Sequence, residues 1–237
     1  MTADSGAPRS MLEQISTCWP SLGDPVRFVM RYAPAIRRYV AAIVPNEHDA
    51  EEVTQDFLVK VLEQGFRPEN VSRGRFRDYL RGAVRHVAID HLRRRRPELP
   101  GGAMLDQLSQ TDPARDADRA FTAEWRQCLL NRAWQALESQ QRQSPGSVDH
   151  TVLKIHVDHP GLDSPGQAEL LSRELGRAVR ADAFRKQLSR ARQRFAEHLV
   201  TELRKTLQSP TREAIDDELA DLELRDYVAG YLAGPEI

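Results

Sequence analysis

The sequence predicts an all-α protein: two small helical domains joined by a flexible linker, the second a helix-turn-helix, followed by a helical acidic C-terminal extension. Apolar side chains recur at steps of three and four residues through most of the chain, which is the spacing of the buried face of an amphipathic helix. Glycine and proline gather at a few points, above all at 97–102 and 144–146, where they end helices. The formal charge of −1 is the sum of acidic and basic blocks, and such blocks indicate binding surfaces.

The composition argues against several classes of protein. The two cysteines, Cys18 and Cys128, form no CxxC pair, so we expect a reducing compartment and no zinc site. The sequence has no signal peptide and no apolar run of membrane-spanning length, which predicts a cytoplasmic protein without a membrane partner. Because it also has neither a phosphate-binding glycine motif nor a nucleophile signature, we expect no enzyme activity, no cofactor and no metal.

The first predicted domain covers residues 23–97, after an N-terminal segment of residues 1–22 to which the pattern assigns no element. Asp24-Pro25 is typical of a helix start, with a capping side chain before a proline at the first helical position. We expect a second helix from Asp49, whose side chain would cap it. Residues 45–64 hold six acids against Lys60, a charge of −5, so this helix offers an acidic surface.

An arginine-rich segment follows the acidic helix. From Arg67 to Arg96 there are ten Arg, three acids and no Lys, a local charge of +7. The planar guanidinium fork binds phosphate through two hydrogen bonds and stacks on bases, so the exclusive use of Arg favours a nucleic-acid surface. The alternative is a solvated helix face whose basic end complements the helix dipole.

Residues 98–120 form the predicted linker, and residues 121–207 form the second domain. Ser164-Pro165 is expected to cap a helix that Gly176 ends in a left-handed turn, and a basic helix follows from about Ala181. This order is typical of a helix-turn-helix, in which the second helix enters the major groove by its N-terminal end. The side chains expected to reach base edges or phosphates are Arg180, Asp182, Arg185, Lys186, Ser189, Arg190 and Arg192.

The C-terminal extension, residues 208–237, has eight acids and two Arg, a charge of −6. Ser209-Pro210 is a candidate helix start. One interpretation is a helix that completes the core of the second domain. The other is an acidic segment near the basic recognition surface, which would weaken the binding of DNA by the free protein.

Two segments of the first domain resemble region 2 of the extracytoplasmic-function (ECF) group of bacterial RNA polymerase sigma factors. They are DAEEVTQDFLVKVLE at 49–63 and RFRDYLRGAVRHVAIDHLRRRR at 75–96. In the second domain, LSRELG at 171–176 and LSRARQRF at 188–195 resemble region 4 of the same family. The resemblance implies a sigma factor that binds core RNA polymerase and directs promoter recognition and melting.

The resemblance also implies partners and contact residues. The partners are the clamp helices and flap of core polymerase and promoter DNA, and the family allows an anti-sigma factor as well. Region 4 would read the −35 element through the helix-turn-helix residues given above. The clamp contact would use Glu52, Gln55, Asp56 and Lys60. The −10 element would contact Arg73, Arg75, Arg77, Arg81, Arg85, His86 and Arg93.

Two features depart from the family pattern, and two alternatives stay open. His86 stands where the family often has Asn, and the spacing from Gly176 to Leu188 is about two residues longer than usual. A stand-alone helix-turn-helix regulator is the first alternative, although such a protein would have no use for the acidic helix. The second is a metal-dependent phosphohydrolase built on His86, Asp90 and His91, although on a helix His91 points about 100° away from Asp90.

Overall fold

The computed structural model describes residues 24–64, 75–95, 112–207 and 209–231. Within these ranges every regular element is an α-helix, and the β pairing is limited to an isolated bridge between Arg75 and Leu207. The all-α prediction is therefore confirmed. The predicted N-terminal segment 1–22, Arg73 and most of the predicted linker lie outside the described residues. No helix among those described is long and apolar enough to cross a membrane.

The chain divides into two compact units, and the division differs from the predicted domain boundaries. Unit one contains the described residues up to Cys128 together with Lys205–Pro210. Unit two contains Leu129–Arg204 and the described residues from Thr211 onward.

Unit one is built from helices α1 (Pro25–Ile43), α2 (Glu47–Gln64), α3 (Phe76–Arg95) and the first part of α4 (Asp112–Gln143). Asp24 caps α1 as predicted, because its carboxylate accepts hydrogen bonds from the backbone N–H groups of Val26 and Arg27.

The start of α2 differs from the prediction. The side chain of Asn46 accepts a hydrogen bond of 3.0 Å from the backbone N–H of Asp49, so Asn46 caps this helix. The prediction that Asp49 caps it is therefore wrong. The cause is that Asn46, which looked like a helix breaker, is itself a good capping residue.

The start of α4 shows why the predicted boundary at residues 120 and 121 does not hold. Ala117, Phe121, Trp125 and Cys128 recur at steps of three or four residues and are all buried in unit one. Trp125 and Phe121 pack on the aromatic rings of α1, where the Tyr39 and Phe121 centroids lie 5.2 Å apart. Apolar burial therefore keeps this half of the helix in unit one, although its sequence between the stripe positions is as polar as a linker.

Unit two contains the rest of α4 and helices α5 (Asp149–Asp158), α6 (Ser164–Leu175), α7 (Ala181–Arg204), α8 (Arg212–Asp221) and the four-residue α9 (Arg225–Val228). Helices α5, α6 and α7 share a core that includes Val152, Leu171, Phe184 and Leu188. Gly176 ends α6 in the left-handed conformation with φ of 64°, as the sequence predicted.

The C-terminal extension is part of the core of unit two. Helix α8 begins one residue after Thr211, whose hydroxyl accepts a hydrogen bond from the backbone N–H of Ala214. Helix α8 packs against α7. The extension contributes a set of buried apolar side chains: Ile215, Leu219, Leu222, Leu224 and Val228. The interpretation that it completes a core is supported by this burial.

Candidate polymerase and nucleic-acid interfaces

Helix α2 has one buried face and one exposed face. Ala50, Val53, Phe57 and Val61 are buried, as their spacing predicted. The residues assigned to the polymerase contact are all exposed: Glu52, Gln55, Asp56 and Lys60. This surface therefore remains available to a partner.

The exposed face of α2 also carries apolar side chains that the sequence reasoning missed. Val59 and Leu62 are 48% and 45% exposed, and they continue the row that begins at Gln55 at steps of four and three residues. An acidic helix face with exposed aliphatic side chains is chemically suited to a protein partner, since its apolar area can be buried on association. The sequence did contain a signal for this: Val59 and Leu62 do not fall on the helical spacing of the buried residues of α2, so their exposure could have been predicted.

The N-terminal end of α2 is tied to the C-terminal end of α3. The guanidinium of Arg95 lies 2.6 Å from Asp49 Oδ1 and 3.7 Å from Glu52 Oε2. Asp49 is buried, so this ion pair gives a buried carboxylate the partner it needs. Glu52 is thereby shared between the exposed surface of α2 and its contact with α3.

A possible metal-binding group lies at the same point. Ligand atoms of Asp49, Glu52 and His91 all lie within 4.8 Å of one another. The guanidinium of Arg95 already supplies positive charge to both carboxylates of this group. His86 and Asp90, by contrast, pair with each other at 3.3 Å on the exposed side of α3. The three residues considered for a phosphohydrolase are therefore divided between two clusters.

One residue predicted to contact the −10 element is buried. Arg77 is only 5% exposed. It lies on the buried row of α3 with Leu80 and Val84, at steps of three and four residues. The prediction that Arg77 presents its guanidinium to DNA is therefore contradicted, because helical spacing turns this position toward the core.

The other predicted −10 residues described on α3 reach solvent. The side chain of His86 is 74% exposed, and both His86 and Arg93 lie near the carboxylate of Asp90, at 3.3 and 3.5 Å. Arg85 and Arg81 are half-buried. Just before the helix, the backbone of Arg75 forms the isolated bridge with Leu207. The basic surface is thus narrower than the sequence predicted, and carboxylates are interspersed in it.

The guanidinium of Arg81 contacts two carboxylates, one on α3 and one on α4. It lies 3.2 Å from Asp78 Oδ1 and 3.7 Å from Asp118 Oδ2. The hydroxyl of buried Tyr39 donates a hydrogen bond of 3.0 Å to the other oxygen of Asp118. Burial, and then the negative charge of Asp118, raise the pKa of Tyr39 above its usual range, so this phenol stays protonated and remains a donor.

In unit two, the N-terminal half of α7 presents the predicted recognition side chains. Arg185, Lys186, Ser189 and Arg190 are exposed, and no hydrogen bond or ion pair to another part of the described chain engages them. Arg180 pairs with Asp182 at 3.2 Å, just before and within the first turn. These four exposed residues form a polar, largely cationic surface that suits base edges and phosphates.

Arg192 differs from its neighbours because it is engaged within unit two. One of its terminal nitrogens lies 2.6 Å from His156 Nε2. Since a guanidinium can only donate, His156 must accept through Nε2 and carry its proton on Nδ1. That nitrogen lies 3.2 Å from Gln167 Oε1, and the amide of Gln167 donates to the backbone oxygens of His159 and Leu162.

This chain of hydrogen bonds joins α5, α6 and α7 through residues that sequence reasoning passed over. Gln167 is buried, and neither Gln167 nor His156 was assigned a role from the sequence. The only signal in the sequence was the polar character of Gln167 on the otherwise apolar inner face of α6. The network makes Arg192 part of the packing between α5, α6 and α7.

In the part of the chain that the structure describes, these features are one helix with an exposed acidic face, α2, and two helices with exposed cationic side chains, α3 and α7. Residues 28–98 match the family model described as Sigma-70 region 2. This match supports a sigma-70 family sigma factor, with a role in binding RNA polymerase and recognising promoters. Neither a curated protein nor a solved structure matches the chain.

Proposed function

We propose that this protein is a sigma factor of the ECF group. It binds core RNA polymerase, recognises the −10 and −35 elements of a promoter and helps to separate the strands. This work requires no enzyme activity of its own and takes place in the cytoplasm with the polymerase. The observation that carries the proposal is the match of residues 28–98 together with an exposed α2 face.

The polymerase contact is the exposed face of α2. Gln55 and Asp56 lie at its centre, Lys60 and Glu52 lie one turn to either side, and Val59 and Leu62 supply apolar area. A mixed surface of this kind gains affinity from apolar burial and specificity from charge. The flap contact and an anti-sigma partner follow from the family resemblance alone.

The −10 contact is the exposed part of α3, from Arg81 to Arg93. Binding of a separated DNA strand requires cations for the phosphates and planar groups for unstacked bases. Arg85, His86 and Arg93 supply both kinds of group on one helix, and Arg75 precedes it. The −35 contact is the N-terminal half of α7, where Arg185, Lys186 and Ser189 are exposed.

The experiment that tests this function is co-purification with core polymerase, followed by transcription in vitro from a library of promoter fragments. The Gln55→Ala/Asp56→Ala double variant should lose both, because it removes the centre of the docking face and leaves the buried stripe intact. Asp217→Ala, which removes an exposed carboxylate from α8, is the matched control and should retain both.

A stand-alone helix-turn-helix regulator would give a different result. It would bind DNA through α7 without any association with core polymerase, and the double variant would behave like the wild-type protein. That outcome would reject the proposed function.

A further inference from the structure

Helix α4 brings a carboxylate to the arginine face of α3. Asp118 Oδ2 lies 3.7 Å from the guanidinium of Arg81, and the two side chains are 37% and 32% exposed. Both residues belong to unit one. Nothing in the family match accounts for this pairing, because the match ends at residue 98 and α4 begins at Asp112.

The position of Asp118 is fixed by its neighbours. Tyr39 donates a hydrogen bond to one carboxylate oxygen and leaves the other to Arg81. On the same helix Ala117, Phe121 and Trp125 are buried, so the turn that carries Asp118 is anchored from both sides. The carboxylate is therefore a built-in feature of the folded unit.

This carboxylate changes what Arg81 can offer to a polyanion. Arg81 lies between Asp78 and Asp118, so two negative charges surround one positive charge. A DNA phosphate that approaches the guanidinium must compete with both carboxylates and is repelled by them. The pairs are partly exposed, so each is weak and can exchange with a ligand.

We propose that Asp118 is an internal competitor of DNA for Arg81. In the free protein the carboxylate holds the guanidinium, and on binding a separated strand Arg81 exchanges this partner for a backbone phosphate. Helix α4 thereby lowers the affinity of the first domain for DNA that is not presented by polymerase. The inference rests on the proposed role of α3 in holding the −10 strand.

The test measures the affinity of the full-length protein for a fluorescent single-stranded DNA of random sequence, about 20 nucleotides long, at low salt. Asp118→Asn keeps an oxygen that can accept the Tyr39 hydrogen bond and removes the charge. It should bind roughly two- to fivefold more tightly than the wild-type protein, in line with the strength of a partly exposed ion pair. A decrease or no change would overturn the proposal.

Two controls separate this effect from a change in net charge. Asp116→Asn makes the same substitution two residues earlier, at an exposed side chain that pairs with Arg119, and it should leave the affinity unchanged. In an Arg81→Ala background the gain from Asp118→Asn should disappear. An equal gain with Asp116→Asn, or a gain that persists without Arg81, would also overturn the proposal.

Co-purification of the same variants with core polymerase is a separate measurement. If the wild-type protein does not co-purify with core polymerase, the proposed function is rejected. If it does co-purify, but Asp118→Asn binds single-stranded DNA no more tightly than the wild-type protein, only the role of Asp118 is rejected. The role of Asp118 is also rejected if neither the wild-type protein nor Asp118→Asn binds single-stranded DNA.

Discussion

The indole of Trp125 stacks on the ring of Tyr32, with centroids 4.3 Å apart and an angle of 8° between the ring planes. Both side chains are fully buried, and Phe76 lies against both of them. This contact joins α4 to α1 and α3 inside unit one. An aromatic cluster of this kind contributes large apolar areas and favourable ring geometry.

Trp125→Ala should strongly destabilise unit one. Removing a fully buried indole leaves a cavity between three helices, and such substitutions cost about 3–5 kcal/mol. The check is chemical denaturation followed by circular dichroism. Met30→Ala, at an α1 side chain that is 80% exposed, is the control and should leave the unfolding midpoint unchanged. Equal midpoints for the two variants would show that α4 contributes little to unit one.

The sequence predicted the helices better than their partners. The stripes of α2 and α6, the cap at Asp24 and the left-handed Gly176 are local features, and each was predictable from spacing and residue type. The attachment of α4 to unit one depends on which helices its apolar face packs against. The periodicity of apolar residues shows that a helix has such a face, but it does not show which helices that face contacts. Phe121 and Trp125 were correctly placed on one face but assigned to the second domain.

The predicted sites show the same limit. A count of arginines cannot separate Arg77, which packs in the core, from Arg81, which reaches solvent four residues later. The sequence also does not reveal which carboxylates pair with a basic face, since Asp118 lies 37 positions away from Arg81 in the sequence. Likewise, the partner of Arg192 is a histidine on another helix, and only the folded structure brings the two together.

Deletion of residues 209–237 should strongly destabilise unit two. The deletion removes five buried apolar side chains, including Ile215, Leu219 and Leu222, and it exposes the part of α7 against which α8 packs. We expect a lower melting temperature and increased binding of a hydrophobic dye. A truncated protein as stable as the full chain would contradict the assignment of the extension to the core.

The acidity of the extension must therefore be tested without removing it. Glu213→Gln and Asp217→Asn neutralise two exposed carboxylates of α8 and leave its buried face intact. If the acidic extension weakens DNA binding by the free protein, the double variant should bind promoter fragments more tightly at low salt, and the difference should shrink as salt is added. Equal affinities at every salt concentration would exclude that role.

Arg190 and Arg192 should respond differently to substitution, although both lie on the basic helix. Arg190→Ala should weaken binding of DNA fragments and reduce the slope of log K against log salt by about 1, because one exposed phosphate contact is lost. Its melting temperature should not change. Arg192→Ala should instead lower the stability of unit two, by roughly 1 kcal/mol, because it removes the donor to His156.

The matched readouts are thermal unfolding and fluorescence anisotropy at several salt concentrations, applied to both variants. His156→Ala should reproduce the stability loss of Arg192→Ala, and the double variant should lose little more, since both changes break the same hydrogen bond. An Arg192→Ala protein with unchanged stability and a reduced salt slope would make Arg192 a phosphate contact after all.

Cys128 should be protected from alkylation in the native protein. Burial, and then the charge of Glu124, raise the pKa of its thiol to about 11. At pH 9 only about one per cent of such a thiol is ionised, whereas most of a solvent-exposed cysteine is thiolate. In a Cys18→Ser background, iodoacetamide should therefore react much more slowly with the native protein than with the protein in urea.

The same pKa shift predicts a loss of stability at alkaline pH. A thiol whose folded pKa is raised binds its proton more tightly in the native state, so its contribution is present below the unfolded pKa of about 8.5 and declines as the pH rises toward about 11. Cys128→Ala in the same background lacks this contribution, so its stability should fall less over that interval. Parallel declines for the two proteins, or equal alkylation rates with and without urea, would show that the thiol is open to solvent.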